Sequence, residues 1–159
     1  MTVVDGGYDA CLATPFAVLG IRAGHDRVSG IDYLPRGAAT LEPVNPTARR
    51  ACREIERYLD DPHYRFSIAF ALAGSDFQCA VWARISTIPV GKTDTYKGVA
   101  MAIGTSARAV GNACGANHVP ILVPCHRVLA SGGLGGFMKA KRGFPLEIKR
   151  WLLTHEGVR

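Results

Sequence analysis

The sequence predicts an α/β unit followed by a mostly helical unit, and three observations predict it. Short apolar runs separated by turn residues open the chain, one amphipathic and well-capped helix follows, and in the second half apolar residues recur at helical spacing between Gly, Ser and Thr breaks. With 159 residues, 48% of them apolar, the chain has material for one ordinary domain or two small ones with real cores. The composition shift around Gly74-Ser75-Asp76 puts the boundary between residues 1–73 and 74–159.

Tyr8 to Ala13 and Phe16 to Ala23, separated by Thr14-Pro15, read as a β-hairpin, and Arg27 to Leu34 as a third strand of a small antiparallel sheet. Residues 35–45 are a loop. Asn45 then caps a helix with Pro46 at its first position, where a missing N–H costs nothing, running through Leu59. Ala48, Ala51, Cys52, Ile55, Tyr58 and Leu59 form its apolar stripe, which should cover the sheet. Tyr64 to Ala73 returns as a strand or connector. In the second half Ser75 or Asp76 caps a helix over Phe77 to Ser86, whose core face is read as Phe77, Ala80, Val81, Arg84 and Ile85 with Trp82 as an anchor. Thr93, Asp94 and Thr95 precede a helix over Tyr96 to Ile103, Gly104 breaks it, and Thr105 or Ser106 caps the next, Ala107 to Gly115. Two short helices joined by a tight turn form a helix-turn-helix, an arrangement that binds DNA in some proteins and only packs in others. The second of them is built almost wholly of small residues. Glycine costs a helix about 1 kcal/mol relative to Ala, so something must approach it closely, either another helix or a nucleic-acid backbone.

Charge separates the halves. Residues 1–76 carry 8 Lys or Arg against 10 Asp or Glu, whereas residues 77–159 carry 11 against 3. The whole excess of +6 therefore belongs to the second half, as neutralisation of phosphates requires. The 5 cysteines are odd in number and scattered without metal-ligand spacing, which argues against a disulfide framework, a zinc site or any other metal, and favours a reducing, cytoplasmic setting. The start, Met1 to Gly7, lacks a basic region followed by an apolar one, and no apolar run reaches spanning length, so neither a signal peptide nor a membrane partner is expected.

The candidate nucleophile is Cys125, in Pro124-Cys125-His126-Arg127-Val128 after the apolar run Val119 to Val123. A cysteine followed directly by His and Arg sits in an electropositive setting that favours thiolate, although an arbitrary free cysteine is more often buried and structural. The run Ser106-Ala107-Arg108-Ala109-Val110-Gly111, then Asn117, then Val119 through Val128, resembles the O6-alkylguanine-DNA alkyltransferases, also called methylated-DNA–protein-cysteine methyltransferases. Phe77, Val81-Trp82, Ile88 to Thr93, Tyr96 and the closing Lys149 to Gly157 agree in order, so that the resemblance spans residues 77–157.

The resemblance implies a ribonuclease H-like first unit and a winged-helix-like second one. It implies DNA repair by direct, irreversible, stoichiometric transfer of an alkyl group from O6-alkylguanine, with O4-alkylthymine a further candidate, in a monomer without cofactor, metal or obligate protein partner. The target base lies inside the duplex and has to be flipped out. Cys125 is then the acceptor, His126 its base, Glu156 the carboxylate that orients His126, Tyr96 the proton donor to the leaving purine, and Asn117 the residue that fixes the turn beside the cysteine. Double-stranded DNA is the partner, met by Arg108, Ala107, Thr95, Tyr96, Lys97 and Asn112, with Arg108 filling the gap left by the flipped base. The substrate pocket falls to Val128, Gly136, Phe137 and Trp82, and the carbonyls of Cys125 and Val128 accept from the guanine amine. Arg127 reads as a structural ion-pair partner. The turn before Arg108 is shorter than the usual pattern, and the lid from Ser131 to Pro145 is longer, with Phe137 where a Tyr is common. Three rivals share parts of this pattern: a lesion binder without transfer, which Cys125 argues against; a sequence-reading transcription factor, for which Arg108 and Asn112 offer too few base contacts; and a Cys-His hydrolase, which would turn over.

Overall fold

The computed structural model describes residues 7–140 and 143–158; the reading of the first residues as leaderless, and positions 141 and 142 of the expected long lid, lie outside them. The chain divides into two compact units, one ending at Leu72 and one beginning at Ala73.

In the first unit β1 (Ala10–Ala13), β2 (Val18–Ala23) and β3 (Val28–Leu34) form an antiparallel sheet in that order. Thr14 closes the first hairpin, its hydroxyl donating to the Ala17 carbonyl at 2.6 Å while accepting the Ala17 N–H at 3.1 Å. Gly20 in β2 is required by close approach: a Cβ there would stand 2.6 Å from the Tyr8 ring. The helix α1 (Pro46–Asp60) begins where its signals place it, with Asn45 Oδ1 accepting from the Ala48 N–H at 2.8 Å and Asn45 Nδ2 donating to the Ala23 carbonyl at 3.1 Å, which ties the cap to the sheet. Its buried face comprises Ala48, Ala51, Cys52, Ile55 and Tyr58, and also Glu54. The Glu54 carboxylate accepts from the backbone of Ser67 at 2.7 Å and of Ile68 at 3.2 Å, and from Arg50 Nε at 2.9 Å. Burial works against the charge, yet these bonds to the anion prevail and hold Glu54 below its ordinary pKa. Glu54 thus anchors the segment after α1, which is a connector that touches β3 through a single bridge, Val28 to Phe70.

In the second unit α2 (Asp76–Ile85) has a complete capping box between Ser75 and Gln78. Its face differs from the expected one. Phe77 is 40% exposed and Ala80 and Arg84 are exposed, whereas Val81, Trp82 and Ile85 are buried. The indole decides this: Trp82 Nε1 donates to the Ala113 carbonyl at 2.9 Å, its ring meets His118 edge-on, and the helix turns to bury the largest side chain it has. After it, β4 (Asp94–Thr95) leads directly into α3 (Tyr96–Ile103), capped by the Thr95 hydroxyl on the Gly98 N–H at 2.9 Å. Gly104, at φ 74°, ends α3 in the left-handed conformation, and Ser106 caps α4 (Ala107–Gly115). β5 (Val128–Leu129) pairs in parallel with β4, Asp94 opposite Val128 and Thr95 opposite Leu129, a two-residue ladder too short to be visible in the sequence. The chain closes with α5 (Phe144–His155), so Phe144 and Pro145, expected in the lid, instead open a helix.

Candidate active site

The β4–β5 register assembles the site. It sets the start of α3, Tyr96, beside the single 3₁₀ turn Cys125–Arg127 that precedes β5. The approach to that turn is held by Asn117, whose Nδ2 donates to the Val123 carbonyl at 2.9 Å and whose Oδ1 accepts from the Val119 N–H at 3.0 Å. Between them Ile121 stands at φ 75°, a conformation that a β-branched residue occupies only where its surroundings impose it. The Asn117 side chain also pulls the pKa of the Cys125 thiol down, against the groups that raise it.

Cys125 is 3% exposed and forms the floor of a cavity of about 360 Å³. One wall is the face of α4 carrying Ala107, Arg108, Gly111, Cys114 and Gly115; Tyr96 supplies another, and the lid residues Gly136 to Ala140 a third. Trp82 and Val128 are absent from this lining, contrary to expectation: Trp82 is held in the core by Ala113 and His118, and the Val128 side chain is fully buried. The two carbonyls assigned to the guanine amine have partners already, Val128 N–H for Cys125 and Lys149 Nζ, at 2.7 Å, for Val128. Arg108, Ala107, Lys97 and Asn112 are exposed on the helix-turn-helix, while Thr95 is half-buried with its hydroxyl engaged as a cap.

On one side of Cys125 lies a closed ionic cluster. Glu156 accepts from His126 Nε2 at 2.8 Å and from Arg127 at 2.8 Å through Nε and 3.0 Å through Nη2; Arg127 Nη1 donates to the Ile88 carbonyl at 2.7 Å. Burial pushes the His126 pKa down, against the opposing pull of Glu156. The ring is therefore neutral near pH 7, and because the carboxylate can only accept, its proton sits on Nε2. That leaves Nδ1 as a lone-pair acceptor, buried and without a hydrogen bond to the protein among the described residues. The positive charge of Arg127 is spent on Glu156, so the electropositive setting expected from the His-Arg pair does not reach the sulfur.

The cation that does act on it is Lys149, fully buried on α5, with Nζ donating to the carbonyls of Val128 at 2.7 Å and Gly136 at 2.9 Å. Burial lowers its pKa to about 8, which leaves it charged at neutrality. Nζ also lies 5.6 Å from the centroid of the Tyr96 ring. Tyr96 donates to the Gly136 carbonyl at 3.0 Å, and burial raises its pKa to about 12, so the phenol keeps its proton. Cys114 lines the same cavity as Cys125; the neighbouring Cys114 and burial hold the Cys125 thiol above the ordinary pKa, and the neighbouring Cys125 lowers that of Cys114. Lys149 and Cys114 went unrecognised in the sequence, although both show there. Residues 107, 108, 111, 114 and 115 share one helical face, and Lys149 shares another with Leu152, Leu153 and Glu156.

A turn-linked helix pair whose second helix also walls a cysteine-floored cavity is the layout of a DNA-binding transferase. A sequence model described as the DNA-binding domain of 6-O-methylguanine DNA methyltransferase matches residues 76–158. The chain is 46% identical over 95 residues to a probable methylated-DNA–protein-cysteine methyltransferase of Acanthamoeba polyphaga mimivirus, covering 58% of this chain and 60% of that protein. It is 30% identical to the constitutive methylated-DNA–protein-cysteine methyltransferase of Bacillus subtilis across 95% of this chain and 96% of that one. The crystal structure of Mycobacterium tuberculosis OGT in complex with DNA superposes with a TM-score of 0.73 at 29% identity, covering 92% of this chain and 90% of that one. The chain belongs to the methylated-DNA–protein-cysteine methyltransferase family of DNA-repair proteins.

Proposed function

We propose that the chain repairs double-stranded DNA by moving the alkyl group of O6-alkylguanine irreversibly onto Cys125, once per molecule, as a monomer in the cytoplasm. Among the described residues no helix is long and apolar enough to cross a membrane. In this reading the unit to Leu72 is ribonuclease H-like and supportive, and the unit from Ala73 on is winged-helix-like and carries the chemistry. The observation that supports it most is the placement of the Cys125 sulfur on the floor of a cavity whose rim is the helix-turn-helix itself, so that a base flipped past Arg108 enters directly over the nucleophile.

The step balances as follows. Cys125 gives its proton through a bridging water to His126 Nδ1, its sulfur forms a bond to the alkyl carbon, and the carbon–O6 bond breaks with its electrons going to the purine. Tyr96, kept protonated by burial, supplies a proton to the departing purine, and the proton taken from Cys125 restores the balance. Glu156 holds His126 in the tautomer that presents Nδ1 as a base. Asn117 steadies the loop, and Ala107, Thr95, Lys97 and Asn112 meet the DNA.

Intact and peptide mass spectrometry after mixing with duplex DNA bearing one O6-methylguanine tests this. A methyl added to the peptide containing Cys125, with guanine restored in the DNA and no transfer in Cys125→Ser, is the expected result. Transfer that survives in Cys125→Ser, or catalytic turnover, rejects it.

A further inference from the structure

We propose that the cavity takes O6 substituents bearing a carboxylate, and that Lys139 is the specificity-determining residue that selects them. The inference rests on the reading of Cys125 as acceptor and names a substrate class for that same site.

Both charged residues that line the cavity are cations, Arg108 and Lys139, and no Asp or Glu lines it among the described residues. Lys149, fully buried and charged at neutrality, adds a third positive charge whose field lowers the pKa of both cavity thiols. Glu156, the nearest carboxylate in the neighbouring cluster, is bound to His126 and Arg127. A neutral methyl group leaves this positive excess unanswered. A carboxylate on the O6 substituent answers it, and without such cations its entry into a partly desolvated space would be costly.

The lid turn puts Lys139 where that charge counts. Phe137 and Ala140 bond each other twice, N–H to carbonyl at 2.8 and 2.9 Å, around Met138 and Lys139, which stand at φ 50° and 66°. Asn and Gly ordinarily fill the two left-handed positions of a tight turn. Here two long side chains hold them, and both line the cavity. The Lys139 stem lies flat on Gly115: a Cβ there would stand 2.8 Å from Cγ, 3.5 Å from Cε and 3.7 Å from Cδ. Gly115 is two turns along α4 from Arg108, about 10 Å by helical rise. The Lys139 ammonium, one bond beyond Cε, is thus held at the end of the cavity opposite Arg108, next to Cys114, the neighbour of Cys125. The residue as a whole stays exposed, so its head keeps contact with water while the stem packs.

Transfer of a carboxymethyl group balances as it does for methyl. The Cys125 sulfur bonds the methylene carbon, the carbon–O6 bond breaks with its electrons going to the purine, and the proton lost by the thiol matches the one the purine gains. The carboxylate keeps its charge throughout, so its pairing with Lys139 lasts through the step.

The test uses duplex DNA with one O6-carboxymethylguanine or one O6-carbamoylmethylguanine, substituents that match in size and differ by one charge. Peptide mass follows each group onto Cys125, and the ratio of the two rates is compared among the wild type, Lys139→Arg, Lys139→Met and Lys139→Glu. Because the ratio is taken within each protein, any loss of folding or DNA binding common to both substrates cancels. Lys139→Met keeps the stem without the charge and should lower the ratio by about fivefold, the upper range for a pair of partly exposed charges. Lys139→Glu should lower it further, and Lys139→Arg should keep it. An unchanged ratio in Lys139→Met, or no carboxymethyl on wild-type Cys125 where methyl is transferred, overturns the proposal. Absence of methyl as well overturns instead the acceptor assignment beneath it.

Discussion

The two sides of Cys125 are built on opposite principles. On one side His126, Arg127 and Glu156 form a cluster in which Arg127 and Glu156 bond each other and the His126 Nδ1 lone pair has no hydrogen bond among the described residues. On the other side Cys114 and Tyr96 border an open cavity walled by small residues of α4, with Lys149 fully buried close to the Tyr96 ring. The first side gains stability and orientation, since buried charges are tolerable only when paired. The second keeps a lysine in the interior, tied to the carbonyls of Val128 and Gly136, where its charge pulls both thiol pKa values down. Adjacent residues can therefore serve separate ends: His126 faces the cluster, and Cys125 faces the cavity.

Breaking the closed side should have the largest effect. Glu156→Ala leaves the Arg127 guanidinium buried without its anion and removes the partner that sets the His126 tautomer, and should cost on the order of 3–5 kcal/mol. Chemical denaturation checks it, and a loss under about 1 kcal/mol would show that the cluster does not hold the unit together. Next comes Arg108→Ala, at the open rim. It should slow repair of duplex DNA by about tenfold or more, while reaction with the free base O6-benzylguanine changes little, because only the duplex requires flipping. Equal losses on both substrates would remove Arg108 from that role. The smallest effect sharpens the comparison most. A Cβ at Gly111 would meet nothing within 4 Å, so Gly111→Ala should raise the stability of α4 by up to about 1 kcal/mol. If that face is kept bare for DNA, duplex repair should fall even as the melting temperature rises; unchanged repair would mean that the glycine serves no ligand.

Most elements were legible because their ends are chemically marked. Asn45-Pro46, Ser75, Thr95, Gly104 and Ser106 define helix boundaries through hydrogen bonds made within a few residues, and such local bonds can be read from spacing alone. The Cys125-His126-Arg127 run and Glu156 were singled out through the resemblance. The illegible parts depend on contacts between residues far apart. The face of α2 followed the reach of the Trp82 indole to Ala113, so a stripe that counted Phe77, Ala80 and Arg84 chose the wrong side, and Trp82 and Val128 fell in the core instead of the pocket. The two-residue β4–β5 pairing is too short to leave a pattern.

The amino-acid sequence by itself determined the helices and the two-unit division of charge, because these follow from local bonding rules and residue chemistry. Only the tertiary structure decided what surrounds the sulfur. It turned the Arg127 charge and the His126 Nε2 proton away into Glu156, brought Lys149 from α5 and Cys114 from α4 near Cys125, and left His126 Nδ1 without a hydrogen bond among the described residues. A pKa answers to distance and burial in three dimensions, and adjacency along the chain fixes neither.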